Sequence, residues 1–173
     1  PLSELAQVVY AHSPEEAEGA WLLILPGSRL PARDLPWLRA FLPLIQRHLE
    51  AGKPVLAVCG GAEMLSEALL DEEGVEERGH FPGLGLLPYR VRMAREKTVE
   101  RRRVRLRGLS GYWGRLEGLE VEGYEIHHGQ GQGICIFASV PKPPTRTRSI
   151  PIPCVMATVF FQPSTPVATL RTA

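Results

Sequence analysis

The sequence predicts an α/β fold with a mostly parallel sheet, an antiparallel extension and an irregular C-terminal segment. Two observations carry the first two parts of this prediction. Continuous apolar runs at 21–25 and 54–58 are each followed by a segment of helical character, which is the βαβα order of a parallel sheet. Beyond Gly74, strand-like segments follow one another with no helical segment between them, which favours antiparallel pairing.

The elements follow from apolar patterning and from helix-breaking residues. The first run stops at a Pro-Gly-Ser turn, and the second leads directly into Cys59-Gly60-Gly61. Between the runs, Asp34 is suited to cap one helix and Pro43 to begin another. After the second run we expect a helix, and later three strands. These expected segments are the helix at 62–70 and the strands at 84–93, 99–109 and 119–127.

Composition limits the classes of partner. The chain has 173 residues, enough for one domain with a substantial core, and its net charge is +1. We therefore expect neither nucleic acid nor membrane as a partner, because the chain has no global electrostatic field for either. The basic residues at 101–107 alternate with apolar ones, which is typical of a solvated strand face. Three cysteines are too few for a disulfide scaffold, so the cytoplasm is the expected compartment.

The C-terminal segment has a different composition. All 19 acidic residues lie at or before Glu125, and the rest of the chain carries seven prolines. We interpret 1–129 as the folded domain and 130–173 as an irregular, Pro- and Thr-rich tail. Two explanations of the abrupt change stay open. One is a shift of reading frame near Gln130, and the other is a genuine Pro-rich tail.

Cys59 is the candidate nucleophile. It stands at the carboxyl end of a predicted buried strand, on a sharp turn into a helix, which is the cysteine counterpart of a nucleophile elbow. Gly60 and Gly61 allow strained backbone angles and close approach of a substrate. A helix N-terminus beside the sulfur would favour the thiolate and offer N–H groups to an oxyanion. The alternative is a buried, unreactive cysteine.

The loop after the preceding strand is the second candidate element. In a parallel sheet, Pro26-Gly27-Ser28 would lie next to the elbow. Backbone N–H groups of Gly27 and Ser28 could then complete an oxyanion hole with the N–H group of Gly60. An ordinary Pro-Gly turn is the alternative for this loop taken alone.

Seven sequence blocks, in order, resemble the glutaminase domain of the cobyric acid synthase family, and together they cover about residues 20–129. The blocks are LPGSR at 25–29, DLPWLR at 34–39, PVLAVCGGAEML at 54–65, DEEGVE at 71–76, GLGLLP at 83–88, EKT at 96–98 and GYEIHHG at 123–129. The resemblance implies a flavodoxin-like, class I, triad-type glutamine amidotransferase fold. It also implies that Cys59 attacks the side-chain amide of glutamine and that Glu63 belongs to the oxyanion or substrate-binding residues.

The resemblance also implies a partner and a pathway. The released ammonia would serve an ATP- and Mg-dependent synthetase domain that amidates adenosylcobyrinic acid a,c-diamide to cobyric acid in cobalamin biosynthesis. This chain carries no GxxxxGK[ST] phosphate loop, so we expect that domain to be absent and expect no cofactor or metal in the chain itself.

The catalytic histidine is where the sequence departs from the family. The resemblance places that histidine well beyond residue 129, and the sequence has none after His128. His127 and His128 are weak candidates for the base, and since neighbours on a strand face opposite sides, at most one would face the thiol. His12, His48 and His80 are expected at the surface. A cysteine hydrolase of similar fold and a catalytically impaired remnant therefore remain as alternatives.

Overall fold

A computed structural model describes residues 6–106, 109, 111–131, 137–139, 153–156 and 167–171; from 131 onward, and at 102, 104, 124 and 125, only the backbone is described. The strands are β1 (Gln7–Ala11), β2 (Leu22–Leu25), β3 (Val55–Ala57), β4 (Ala68–Asp71), β5 (Gly79–Pro82), β6 (Arg90–Arg105), β7 (Glu120–Gly131), β8 (Phe137–Ser139), β9 (Pro153–Met156) and β10 (Val167–Arg171). The helices are α1 (Pro14–Ala17), α2 (Pro31–Ala40), α3 (Leu42–Glu50) and α4 (Gly60–Met64), and a 3₁₀ helix spans Gly111–Leu116.

The main sheet is parallel at its centre, as predicted. Its strand order is β1-β10-β2-β3-β9-β8, and β3 pairs in parallel with both β2 and β9. All four residues of β2 are buried, which explains why this strand reads as a continuous apolar run. The carboxyl ends of β2 and β3 therefore lie side by side, and the loops that follow them are neighbours.

The prediction of an irregular tail is wrong for the three segments beyond residue 131 that the structure describes. β9 joins the parallel centre beside β3, β8 pairs with β9, and β10 lies between β1 and β2. The physical reason is that short runs such as Val167–Arg171 need no periodicity of their own when they pair with strands of an existing sheet. The remaining positions of 130–173 beyond Gly131 lie outside the described residues.

A second sheet, of order β5-β4-β6-β7, forms the predicted extension; its β4–β5 and β6–β7 pairs are antiparallel, as predicted, and its β4–β6 pair is parallel. The helix expected at 62–70 is wrong in its second half, because α4 ends at Met64 and β4 begins at Ala68. Backbone pairing of β4 with β5 on one side and β6 on the other outweighs the helical pattern. β6 and β7 form a long ribbon whose register shifts between Met93 and Thr98.

Two apolar clusters hold the layers together. The larger one joins α2, α3 and α4 to the main sheet and includes the fully buried Phe41 and Leu25. The smaller one packs Trp113 of the 3₁₀ helix against Leu22 and Ile24 of β2. Opposite faces of β2 thus contribute to different clusters, and the sheet is covered on both sides here.

Two expectations about charged side chains have different outcomes. The basic residues of β6 form a solvated face, as predicted: Arg103 and Arg105 pair with Glu122 and Glu120 of β7, and all four are at least one-third exposed. The surface position expected for His48 is wrong, because its ring is buried and Nε2 lies 3.0 Å from the Pro54 carbonyl oxygen. Burial lowers the pKa of His48.

Among the described residues, no helix has the length and apolar character needed to cross a membrane.

Candidate functional site

Cys59 occupies a strained turn between β3 and α4. Its φ is 47° and its ψ is −121°, and it is the one non-glycine residue with positive φ in the described part of the chain. The N–H groups of Ala62 and Glu63 both donate to the Cys59 carbonyl oxygen, at 2.9 and 3.0 Å, so the helix begins immediately after the turn. Such strain concentrates at functional sites, and it gives the predicted elbow its geometry.

The two glycines after Cys59 bring α4 against the loop that follows β2. A Cβ atom on Gly60 would lie 2.5 Å from the Ser28 carbonyl oxygen and 2.8 Å from the Ser28 nitrogen. A Cβ atom on Gly61 would lie 2.4 Å from the Pro26 carbonyl oxygen. Only glycine fits at either position without displacing backbone. The predicted proximity of the two loops is therefore confirmed.

One backbone donor acts on the sulfur in this arrangement. The N–H group of Gly60 acts to lower the pKa of the Cys59 thiol. The Ser28 hydroxyl is used within its own loop, since it donates to Asp34 Oδ2 at 2.6 Å and accepts from the Leu30 N–H at 3.0 Å. Ser28 is thus fixed by its side chain, and its backbone is the part that faces Gly60.

Glu63 is a buried carboxyl one turn after the nucleophile. Its side chain is 7% exposed, and its Oε1 atom lies only 2.4 Å from the position that a Cβ on Gly129 would take. Burial raises the pKa of Glu63 to about 7, and the nearby carboxyl of Glu76 contributes to the rise. A glycine at 129 therefore makes room for this carboxyl, which connects the GYEIHHG block of β7 to the site.

Glu76 and Lys97 belong to the same site and were not predicted individually. Burial raises the pKa of Glu76 to about 7, with a further contribution from Asp71. Glu76 stands in an acidic segment, which reads as a solvated loop, and Lys97 stands at the register shift of β6. The matched family blocks contain both residues, but the single sequence carries no signal that separates them from their charged neighbours.

The expectation that the helix N-terminus favours the thiolate is wrong for this structure. Burial raises the pKa of Cys59 to about 11, and the negative charges of Glu63 and Glu76 add to the rise. The Gly60 N–H group and Lys97 act in the opposite direction without cancelling it. The physical reason is that burial of the thiol, with two nearby carboxyls, outweighs the Gly60 N–H group and the small dipole of a helix of only five residues.

The raised pKa predicts how Cys59 reacts with iodoacetamide. Below the pKa the thiolate fraction grows tenfold per pH unit, so we expect the alkylation rate to rise about tenfold per unit from roughly pH 7 to 10. Glu63→Gln removes a negative charge and should raise the rate at pH 8 by up to about tenfold, the effect of one pKa unit. Glu67→Gln, at an exposed carboxyl, is the matched control. Peptide mapping reports the rate at Cys59, and a plateau below pH 9 would contradict the interpretation.

The histidine candidates are held by backbone carbonyl oxygens. A ring nitrogen of His127 bonds to the Gly129 carbonyl oxygen, and Nδ1 of His128 lies 3.0 Å from that of Ala94. The charged side chains that shift the pKa of Cys59 are Glu63, Glu76 and Lys97, and neither histidine is among them. The role of His127 as base therefore stays a prediction.

Comparisons with known proteins agree with this architecture. A solved structure described as the crystal structure of glutamine amidotransferase matches with a TM-score of 0.51 at 18% identity, covering 85% of this chain and 74% of that one. At this identity the likeness concerns the fold alone.

Curated relatives are closer in sequence. Proteins named cobyric acid synthase from a Polaromonas species and from Paracidovorax citrulli are each 47% identical to the chain, over 123 and 126 residues. The matches cover 70% and 72% of this chain but 24% and 25% of those proteins, so the chain spans about a quarter of their length. The family model for the CobB/CobQ-like glutamine amidotransferase domain matches residues 1–141. The chain therefore belongs to the CobB/CobQ-like glutamine amidotransferase domain family.

Proposed function

We propose that this site hydrolyses the side-chain amide of glutamine with Cys59 as nucleophile. The observation that carries the proposal is the strained elbow, which holds a thiol beside backbone donors at the carboxyl ends of two parallel strands. The sulfur attacks the amide carbon, and the C–N bond breaks as the nitrogen gains a proton. Ammonia leaves, a glutamyl thioester remains, and water then releases glutamate and restores the thiol.

The backbone of the two adjacent loops suits the tetrahedral intermediate of this reaction. The Gly60 N–H group acts on the sulfur, and the Ser28 backbone lies against Gly60. Negative charge develops on the amide oxygen during attack, and pre-positioned N–H donors stabilise it in a site that excludes water. Gly27, Ser28 and Gly60 are therefore the proposed oxyanion residues.

The carboxyls of Glu63 and Glu76 suit the cationic end of an amino acid. Both carry a raised pKa, and the charges of both act on Cys59, so we infer that the two carboxyls lie near the sulfur. An α-ammonium group bound there would offset the negative charge that opposes thiolate formation. Substrate binding would then lower the pKa of Cys59, which gives the enzyme a reactive thiolate only when glutamine is present.

The likeness to proteins named cobyric acid synthase supports a proposal for where the released ammonia is used. We propose that it passes to an ATP-dependent synthetase domain that amidates a corrinoid, adenosylcobyrinic acid a,c-diamide, to cobyric acid in cobalamin biosynthesis. The proposed compartment is the cytoplasm, in keeping with the few cysteines of the chain.

Labelling with the glutamine analogue diazo-oxo-norleucine tests the proposal, because the reagent combines the amino acid head group with an electrophile. We expect peptide mapping to find the adduct on Cys59 and none on Cys135 or Cys154, and we expect free glutamine to protect Cys59. Cys59→Ala should abolish labelling. Modification of Cys135 or Cys154 with Cys59 untouched would reject Cys59 as the nucleophile. Equal labelling with and without glutamine would point instead to a cysteine hydrolase of similar fold.

A further inference from the structure

The segment from Asp71 to Glu77 is folded around one buried carboxylate. Asp71 ends β4 and is 3% exposed, and its two oxygens accept the N–H groups of Val75, Glu76 and Glu77 at 2.8, 2.8 and 2.9 Å. Burial alone would raise the pKa of Asp71, but these donors outweigh burial and the pKa lies below its ordinary value. Asp71 is therefore the charged centre that gives this segment its shape.

Contacts outside the segment are exposed ion pairs and the packing of Val75 against the larger apolar cluster. Glu77 pairs with Arg33 of α2 at 2.7 Å, but the arginine side chain is 64% exposed, and an ion pair of this kind contributes little. The same helix carries Asp34, which accepts the Ser28 hydroxyl. The Asp71 segment and the oxyanion loop thus share a support in α2, while the Glu76 N–H group is held by Asp71.

We propose that Asp71 is a positioning residue, which holds the Glu76 carboxyl beside Cys59 and Glu63 for binding of the substrate's ammonium group. This inference rests on the proposed function. Asp71 raises the pKa of Glu76, Glu76 raises that of Glu63, and the charges of Glu63, Glu76 and Lys97 all act on the Cys59 thiol. Asp71 is not among the groups that shift the pKa of Cys59, so its proposed effect on the reaction passes through Glu76.

Asp71→Asn in the full chain is the test. The asparagine amide has one acceptor oxygen in place of the two carboxylate oxygens of Asp71. Its NH₂ group would face a backbone N–H donor, so the loop must rearrange. A misplacement of about 1 Å can cost up to about 100-fold, and we expect labelling of Cys59 by diazo-oxo-norleucine to slow about tenfold. Alkylation by iodoacetamide, which has no ammonium group, should not slow. Glu72→Gln is the matched control, because it removes an adjacent exposed carboxylate and should leave both rates unchanged.

A double variant separates positioning from a general loss of structure. If Asp71 acts through Glu76, then Asp71→Asn combined with Glu76→Gln should label no more slowly than Glu76→Gln alone. Additive losses would overturn the proposal. Should Asp71→Asn not fold, Gly74→Ala strains the same loop, where φ is +70°, while leaving Asp71 intact, and it should show the same selective loss.

The outcomes distinguish this inference from the proposed function. If the unsubstituted chain takes iodoacetamide but not diazo-oxo-norleucine at Cys59, the proposed function fails, and the inference fails with it. If the unsubstituted chain reacts with both reagents, and Asp71→Asn reacts with each of them as fast as the unsubstituted chain does, only the positioning role is overturned. A slower reaction with both reagents in a folded Asp71→Asn chain would assign Asp71 a purely structural role and would also overturn it.

Discussion

Replacing Gly60 by alanine should remove most labelling of Cys59 by diazo-oxo-norleucine and destabilise the domain. The new Cβ would lie 2.5 Å from the Ser28 carbonyl oxygen and 2.8 Å from the Ser28 nitrogen, and backbone atoms cannot move aside as a flexible side chain can. Overpacking of this kind costs about 1–3 kcal/mol of unfolding free energy. Moving one oxyanion donor costs about 10²–10³-fold in rate, so we expect labelling to slow by about 100-fold.

The controls for this prediction are two other glycines. Gly61→Ala should destabilise the chain to a similar extent, because its Cβ would lie 2.4 Å from the Pro26 carbonyl oxygen. Gly123→Ala should change neither property, since nothing lies within 4 Å of its Cβ. Urea unfolding followed by circular dichroism gives the free energies, and peptide mapping gives the labelling rates. If a stable Gly60→Ala chain is labelled as fast as the unsubstituted chain, Gly60 does not belong to the proposed oxyanion site.

The centre of the fold was predictable because its signals are local. β2 and β3 are continuous apolar runs ended by turn residues, and their parallel pairing follows from the helices between them. Pairing between distant segments was not predictable in the same way. β4 has a helical pattern but lies between β5 and β6, and β10 inserts between β1 and β2 from the far end of the chain. Such choices depend on which sheet edges are available, and one segment does not encode that.

In the candidate site, too, the residues with local sequence signals were predictable and those brought in by distant segments were not. Cys59, Gly60 and Ser28 were predicted from strand ends and glycines, and the structure brings their loops together. The charges of Glu76 and Lys97 act on the thiol from segments of the second sheet, so only the packing of the two sheets reveals them. The predicted direction of the Cys59 pKa shift was wrong for the same reason. A helix N-terminus is visible in a sequence, whereas burial of the sulfur and the charges of two carboxyls near it are properties of the assembled site.

The assembled site also bears on how fast this chain turns over glutamine. Ammonia leaves the tetrahedral intermediate only when its nitrogen is protonated, so the site needs a proton donor beside Cys59. The family resemblance leads us to expect a histidine beyond residue 129, and the sequence has none after His128. Among the described side chains, Lys97 is the cation that acts on the thiol, and the carboxyls of Glu63 and Glu76 are the other titratable groups there.

We therefore expect slow hydrolysis of glutamine by a chain whose nucleophile is intact. A positioned acid contributes about 10²–10⁴-fold to such a step, and we expect a deficit of that order against the roughly 1–10³ s⁻¹ that is typical of enzymes. Steady-state release of ammonia measures the rate, with and without an added synthetase domain. Cys59 should still accept diazo-oxo-norleucine in the same sample, which separates a missing acid from a missing nucleophile.

Single histidine variants decide whether a residue of β7 supplies the proton. If His127 has taken the role, His127→Ala should reduce the residual ammonia release by about 10²-fold or more, while His128→Ala should not. If neither histidine acts, both variants should keep the slow rate of the parent chain, and the rate should follow the protonation of the carboxyls near pH 7, where Glu63 and Glu76 titrate. Turnover within the ordinary enzyme range by the parent chain would show that an effective acid is already present, and the expectation of slow hydrolysis would be wrong.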